Sequence, residues 1–294
     1  MADPYKDSGG GSAAALASMG RRAVGMCRTD AGAGTVAIMC TVLLRWRPDA
    51  PWPLLMAAVR DEFLDRPWDP PASHWPTYPS LVGGRDRQAG GTWLAVDPTR
   101  PAVAAVLNGV RLPPEPSRPS RGMLPLAALT DSLPTSFAGY DGFHLLVGTL
   151  TSLVVLSWDG ASLVRRELAP GDHIIVNAGV DAAEDPLVPH FTPLLAALPD
   201  PPLTRADAAT VAAWGPWLNL MRGDGLPPDD PRALLLRREF DGSEPGLEQY
   251  AGRVYGSGSE ALVALAPGRV RYDFTPTPFT PAWRPILTPA PPHA

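Results

Sequence analysis

The sequence predicts an α+β fold built from two stacked antiparallel sheets covered by helices. Three observations lead there. Short apolar runs recur along the chain, each closed by turn residues. Successive runs are joined by turns as tight as Arg47-Pro48-Asp49-Ala50, Asp97-Pro98, Asp159-Gly160 and Pro267-Gly268, and such short connections suit only antiparallel partners. Helical periodicity is confined to three stretches, so strands and helices do not alternate as a parallel doubly wound sheet requires.

Residues 1 to 38 stand apart. DSGGGSAAALASMG is low-complexity sequence with little to bury, and it predicts a disordered extension. Gly32-Ala33-Gly34-Thr35-Val36-Ala37 matches a dinucleotide fingerprint in letters only, with no strand before it and no helix after it. A single domain is expected from 39 to 294. CTVLLRW and PLLMAAV (53 to 59) read as a first hairpin, and GTWLAV (91 to 96) with AVAAVL (102 to 107) as a second. HLLVGTL, SLVVLSW and SLVRREL follow in close succession, then HIIVN (173 to 177). ALVALA and RVRYDF form the last hairpin. Helices are expected over Met123 to Asp131, Val188 to Leu198 and Thr204 to Met221. The 37 prolines cluster in PWDPP (67 to 71), RLPPEPSRP (111 to 119), DPP, LPPDDP and the tail from Pro276 to Pro292, which read as stiff surface loops.

Composition narrows function. At 45% hydrophobic, the 294-residue chain can bury a sizeable core. Its net charge of -5 argues against a nucleic-acid partner, which would require a basic stripe. Lysine occurs once, at Lys6, so nearly all positive charge is arginine. Two cysteines, Cys27 and Cys40, make no disulfide framework and point to a reducing, cytoplasmic setting. No apolar run is long enough to span a membrane. Arg21-Arg22 and Val24-Gly25-Met26-Cys27 resemble pieces of export signals, but the apolar region that should lie between them is missing. The five histidines have no metal-ligand spacing, and neither a metal nor a cofactor is expected.

Several segments occur in a telling order: MCTVLLRW, then LLMAAVRDEFLDRPWDPPASHW, then GRDRQAGGTWLAV, then AAVLNG and SRG (120 to 122). This series resembles the NRDE family, also called the transport-and-Golgi-organisation family, from Met39 to about Phe274. Three positions depart from its pattern. Val59 stands where the signature asparagine is expected, and Ala95 replaces a glycine. A C-terminal Gly-Thr-Arg-Ser-Ser stretch is matched only by Gly256-Ser257-Gly258-Ser259-Glu260, without the arginine.

The resemblance implies an αββα sandwich like that of N-terminal-nucleophile hydrolases. In those enzymes the first residue of the mature chain attacks an amide carbonyl, and its own α-amino group is the base. A free α-amine titrates near ~7.7–8.0 and can take a proton at neutral pH, whereas a peptide nitrogen cannot. Cys40 therefore qualifies only if nothing precedes it. A biological start at Met39, followed by loss of that methionine, would leave Cys40 first. So would self-cleavage of the Met39–Cys40 bond.

Read from the residues alone, Cys40 is a small buried hydrophobe opening a strand; the resemblance makes it a nucleophile. Arg60, Asp61 and Glu62 read as a solvated strand end. If the second strand pairs antiparallel with the first, they lie beside Cys40. The resemblance then gives Asp61 to the α-amine and Arg60 to the thiol or a substrate carboxylate, with Glu62 structural. Asn108 and Asn177 each end a strand, where asparagine is common for turn reasons; the alternative role is an oxyanion-hole amide. Trp93 reads as core, and His74, Trp68 and Trp75 as candidates for a pocket mouth. Two functions follow: a cysteine-nucleophile hydrolase or acyltransferase acting on an amide of a small molecule, or a non-catalytic carrier of a hydrophobic ligand such as a lipid, an acyl-CoA or haem.

Overall fold

Side-chain alternation along residues 41 to 46 sets the architecture. Val42, Leu44 and Trp46 enter one apolar cluster and Leu43 enters another, so this strand is covered on both faces. That is the signature of a central strand between two layers. The computed structural model describes residues 40–110, 112–113, 117–202, 208–244 and 247–289. The predicted extension with Cys27, and Met39 after it, lie outside the described residues.

In chain order the strands are β1 (Thr41–Trp46), β2 (Leu54–Phe63), β3 (Trp68–Ala72), β4 (Val82–Asp86), β5 (Leu94–Asp97) and β6 (Ala102–Asn108). They continue with β7 (Phe143–Gly148), β8 (Leu153–Trp158), β9 (Leu163–Glu167), β10 (Gly171–Val176) and β11 (Gly179–Val180). The last are β12 (Arg237–Glu239), β13 (Val254–Ala266), β14 (Arg269–Thr275) and β15 (Arg284–Leu287). One sheet runs β11-β10-β1-β2-β13-β14-β15, with β12 paired to the start of β13. The other runs from β3 to β9 in sequence order. All pairs are antiparallel.

The sheets stack through their inner faces. Val42, Leu44, Met56, Ala58 and Val263 of the first meet Val82, Leu94, Val103, Leu107 and Val155 of the second. Three helices, α2 (Leu187–Ala197), α3 (Thr210–Trp214) and α4 (Trp217–Met221), cover the outer face of the first sheet with Phe191, Trp214 and Trp217. On the second sheet, α1 (Leu124–Leu129) packs Leu126 and Leu129 against Ala95 and Ala104. The layer order is helix, sheet, sheet, helix, as the expected sandwich requires. Among the described residues no helix is long and apolar enough to cross a membrane.

Three expectations need correction. The helix expected over Thr204 to Met221 begins outside the described residues, and its described part is two short helices, broken where Gly215 takes a φ of 51° ahead of Pro216. Proline disfavours the helical region for the residue before it and lacks the N–H needed to continue the ladder. PWDPP is not simply a loop. Trp68 to Ala72 form β3, an edge strand, where proline costs no ladder bond on the open side. The same reasoning explains β15 with Pro285, which lies beyond the hairpin expected to be last.

Candidate functional site

Cys40 immediately precedes β1, and alternation turns its side chain with Val42 into the space between the sheets. β1 and β2 pair from Thr41↔Val59 to Trp46↔Leu54, which brings Arg60 beside Cys40, as the antiparallel argument required. The two residues line one small recess with Trp93, Leu94 and Leu107. The Arg60 guanidinium lies 4.6 Å above the Trp93 ring, a contact of about 0.5–2 kcal/mol that fixes where its charge sits. Glu62, on the same face of β2, has Oε2 3.9 Å from Arg60 and 3.6 Å from Arg66.

Asp61 is divided between two faces. Its main-chain carbonyl lies 3.7 Å from Cys40 Sγ. Its carboxylate turns to the helix-covered side, where the Ser257 hydroxyl donates to Oδ1 at 2.6 Å. Oδ2 is buried and has no partner among the described residues. Glu260 and Thr41 each bring another buried oxygen without a partner among the described residues, Oε1 and Oγ1, to the row Thr41↔Val59↔Glu260 across the sheet. Burial pushes the Asp61 carboxyl up to about 8, against the opposing pull of Ser257 and Arg60. It also pushes Glu260 up, with the Asp61 charge adding to the effect.

The Cys40 thiol is raised to about 12, first by burial and then by the Asp61 charge, despite the pull of the Asp61 main chain and Arg60. A peptide-bound Cys40 is therefore a poor nucleophile at neutral pH, and a nearby base would have to take its proton.

Asn177 and Asn108 part company. The Cys40 main-chain N–H donates to Asn177 Oδ1 at 3.2 Å. Asn108, by alternation, shares the face of Ala104 and Val106, which pack toward α1 and Phe137; Ala105 and Leu107 are the residues that face Cys40's layer. Its expected place facing Cys40 is thus corrected by the two-residue period of β6.

Several participants were not singled out from sequence. His144 spans the gap between sheets: Nε2 lies 3.1 Å from the Asn177 carbonyl and Nδ1 2.8 Å from the Ser157 hydroxyl. A carbonyl only accepts, so Nε2 carries the proton and Nδ1 accepts from Ser157. Burial lowers the His144 pKa and favours this neutral form. A chain of bonds then runs from Ser157 through His144 and Asn177 to Cys40. Arg121 of the SRG segment donates to the Gly142 carbonyl at 2.7 Å. Burial lowers its pKa, while Asp141, Cys40 and Glu62 act to raise it. The signal for Arg121 was already in the motif; His144 had none, because its partner lies 33 positions away.

The glycines of the motifs explain their spacing. A Cβ on Gly84 would lie 2.3 Å from the Trp93 ring, so only glycine lets that ring lie flat under Arg60. A Cβ on Gly91 would lie 2.3 Å from Gly122, which joins the GGTW and SRG segments back to back. Gly258 is the extra residue of a bulge in β13 between Ser257 and Ser259, and its Cβ position points at Arg60 Nη1, 3.7 Å away. Of the loop aromatics, Trp68 lines a cleft next to Arg60. Trp75 is core, donating Nε1–H to Gly90, and His74 bonds the Pro70 carbonyl.

Among the described residues no group of three or more His, Cys, Asp or Glu is placed to hold a metal ion. The family model described as Transport and Golgi organisation 2 matches residues 39–191. That span contains Cys40, Arg60, Asp61, Arg121, His144 and Asn177, but not Ser257 or Glu260. No curated protein matches the chain.

Proposed function

The chain belongs to the Transport and Golgi organisation 2 family, and from that premise we propose that it is a cysteine N-terminal-nucleophile hydrolase of small-molecule amides, active once Cys40 is the first residue. The observation that carries this is Asp61, whose main-chain carbonyl lies 3.7 Å from Cys40 Sγ and whose buried carboxyl keeps one oxygen without a partner among the described residues. An uncompensated buried acid is costly. A free amine at Cys40 would offer it what the peptide N–H does not, since a single N–H is already committed to Asn177. A neutral α-amine has two N–H protons, one for each acceptor, and keeps its lone pair.

The reaction would proceed in two balanced steps. The α-amine takes the Sγ proton as sulfur bonds to the amide carbonyl carbon. The proton then passes to the leaving nitrogen as the C–N bond breaks, leaving a thioester and a free amine. Water hydrolyses the thioester, releasing the acid and restoring the thiol. Arg60 favours the thiolate, and the Asn177 side chain holds the nitrogen in place. A cytoplasmic, reducing compartment would keep Cys40 free. The carrier reading also uses the apolar cleft beside Arg60, but it gives the buried Asp61 no purpose. The test is the intact mass of the protein from active cells. A chain beginning at Cys40 is expected; an active chain still carrying residues 1 to 39 overturns the mechanism.

A further inference from the structure

Arg60 borders two cavities at once. The recess at Cys40 measures about 20 Å³, room for a carbonyl oxygen or one water but not for an acyl chain. The second is an open cleft of about 340 Å³, at the small end of small-molecule sites, walled by Leu64, Trp68 and Phe279 and by the bulge at Gly258. Arg237 completes it. The charge of this cleft is one-sided: its lining has apolar walls, the hydroxyl residues Ser257, Thr277 and Thr280, and two arginines, with no carboxylate.

Arg237 is placed there by the backbone. β12 pairs Arg237 with Gly256, and a Cβ on Gly256 would lie 2.4 Å from the Leu236 carbonyl. The two strands thus approach as closely as glycine allows. The neighbouring arginines are committed: Arg238 pairs with Glu244 and Arg253 with Asp65. Among the described residues no acid lies within ion-pair distance of the Arg237 guanidinium. In a chain of net charge -5, an arginine left unpaired at the mouth of an apolar cleft suits an anion from outside.

We infer that this cleft binds the carboxylate of an N-acyl amino acid, with Arg237 and Arg60 as its two guanidinium donors. The inference rests on the amide-hydrolase reading of Cys40 and narrows its substrate. One guanidinium borders both cavities, so the carboxylate lies only a few bonds from the carbonyl that enters the recess. An α-carboxylate on the amide nitrogen's own carbon meets that condition. The apolar walls take the remaining bulk, and Arg237 supplies a positive charge to the cleft that Gly258 also lines.

Binding can be measured on the full-length chain, whose blocked Cys40 nitrogen removes turnover from the experiment. The probes are N-phenylacetylglycine and its neutral primary amide, titrated by calorimetry against the unaltered protein, Arg237→Gln and Arg237→Lys. The acid should bind at least about tenfold more tightly than the amide. Arg237→Gln should weaken the acid by roughly 10–100-fold and leave the amide unchanged, and Arg237→Lys should recover part of the loss. Arg237 is exposed, so its variants should melt with the parent. Equal binding of acid and amide, no binding of the acid, or an Arg237→Gln variant that binds as the parent does would each overturn the assignment. A chain beginning at Cys40 separates the two readings. If the acid binds but no phenylacetate is released, the hydrolase reading fails and the cleft stands. If acid and amide are cleaved at equal kcat/KM, the cleft assignment fails and the hydrolase stands.

Discussion

The main-chain nitrogen of Cys40 donates to Oδ1 of Asn177 across 3.2 Å, joining the first residue of the site to the end of β10. The contact is made by an atom whose charge and proton count depend on whether a peptide bond precedes it. Asn177→Ala should therefore matter little to a chain with residues before Cys40 and a great deal to one without them. The expected loss is about 0.5–1.5 kcal/mol in stability for the first. For the second, reactivity at Cys40 should fall roughly 10- to 100-fold. Melting and thiol-labelling rates on both chains check this, and equal effects on labelling would remove Asn177 from the site.

The thiol itself gives a second test. With burial holding Cys40 up to about 12, a full-length chain should react slowly with a thiol electrophile, its rate still climbing at pH 10. A chain beginning at Cys40 carries an amine titrating near ~8, so its rate should rise earlier and level off. Cys40→Ser should retain the fold and lose most turnover. Superimposable pH–rate curves for the two chains would argue for the carrier.

Asp61 ties stability to pH. Unfolded, its carboxyl ionises near ~3.9; folded, burial raises it to about 8. Between these values the unfolded chain gives up a proton that the folded chain keeps, so stability falls as pH rises and is complete only below the lower value. Asp61→Asn removes this loss. At pH 7.5 it should be more stable than the parent by about 1–4 kcal/mol, and at pH 4 the two should converge. The same variant should abolish turnover. A parent and variant that differ equally at both pH values would contradict the buried acid.

His144 acts through Asn177, and a purely structural role can be told apart from positioning. His144→Phe fills the space but cannot donate to the Asn177 carbonyl; His144→Gln can. Labelling at Cys40 in a chain that begins there should fall about tenfold in the first variant and recover in the second, at similar melting temperatures. If the Gln variant is as slow as the Phe variant, the bond to Asn177 is not the relevant one.

Gly84 tests the seat of Arg60. Gly84→Ala drives a methyl into the Trp93 ring. It should cost about 1–3 kcal/mol and weaken any ligand held by Arg60. Trp93→Leu, which removes the ring, should relieve most of the stability cost in the double variant.

Much of this was legible because it is local. The hairpin at Arg47 to Ala50 brought Arg60 to Cys40 from turn chemistry and strand period alone. The same period would have placed Asn108 on the outer face of β6, had its neighbours Ala104 and Val106 been counted as that face. β3 and β15 were hidden because proline argues against a strand unless the strand is known to be an edge, and edges are decided by the whole sheet. Asp61 was named, but its carboxylate was expected on the wrong face. Adjacent strand residues point opposite ways, so Arg60 and Asp61 cannot both send side chains toward Cys40. His144 and Arg237 depend on pairings that no run of neighbours encodes.

The bond from Ser257 to Asp61 closes a span of 196 positions. A ribosome has made Cys40, Arg60 and Asp61 long before it makes their last partner. While the chain is growing, β2 has an open edge where β13 will add, and its polar end is still solvated. Long-range strand pairing is slow, and an unpaired edge invites association with other chains. The burial of the Asp61 carboxyl is therefore completed last, when β13 docks, so its bond to Ser257 is missing from a half-made protein. Damage to the tail-proximal strands should appear first as a failure to mature, in a chain whose motifs are all intact.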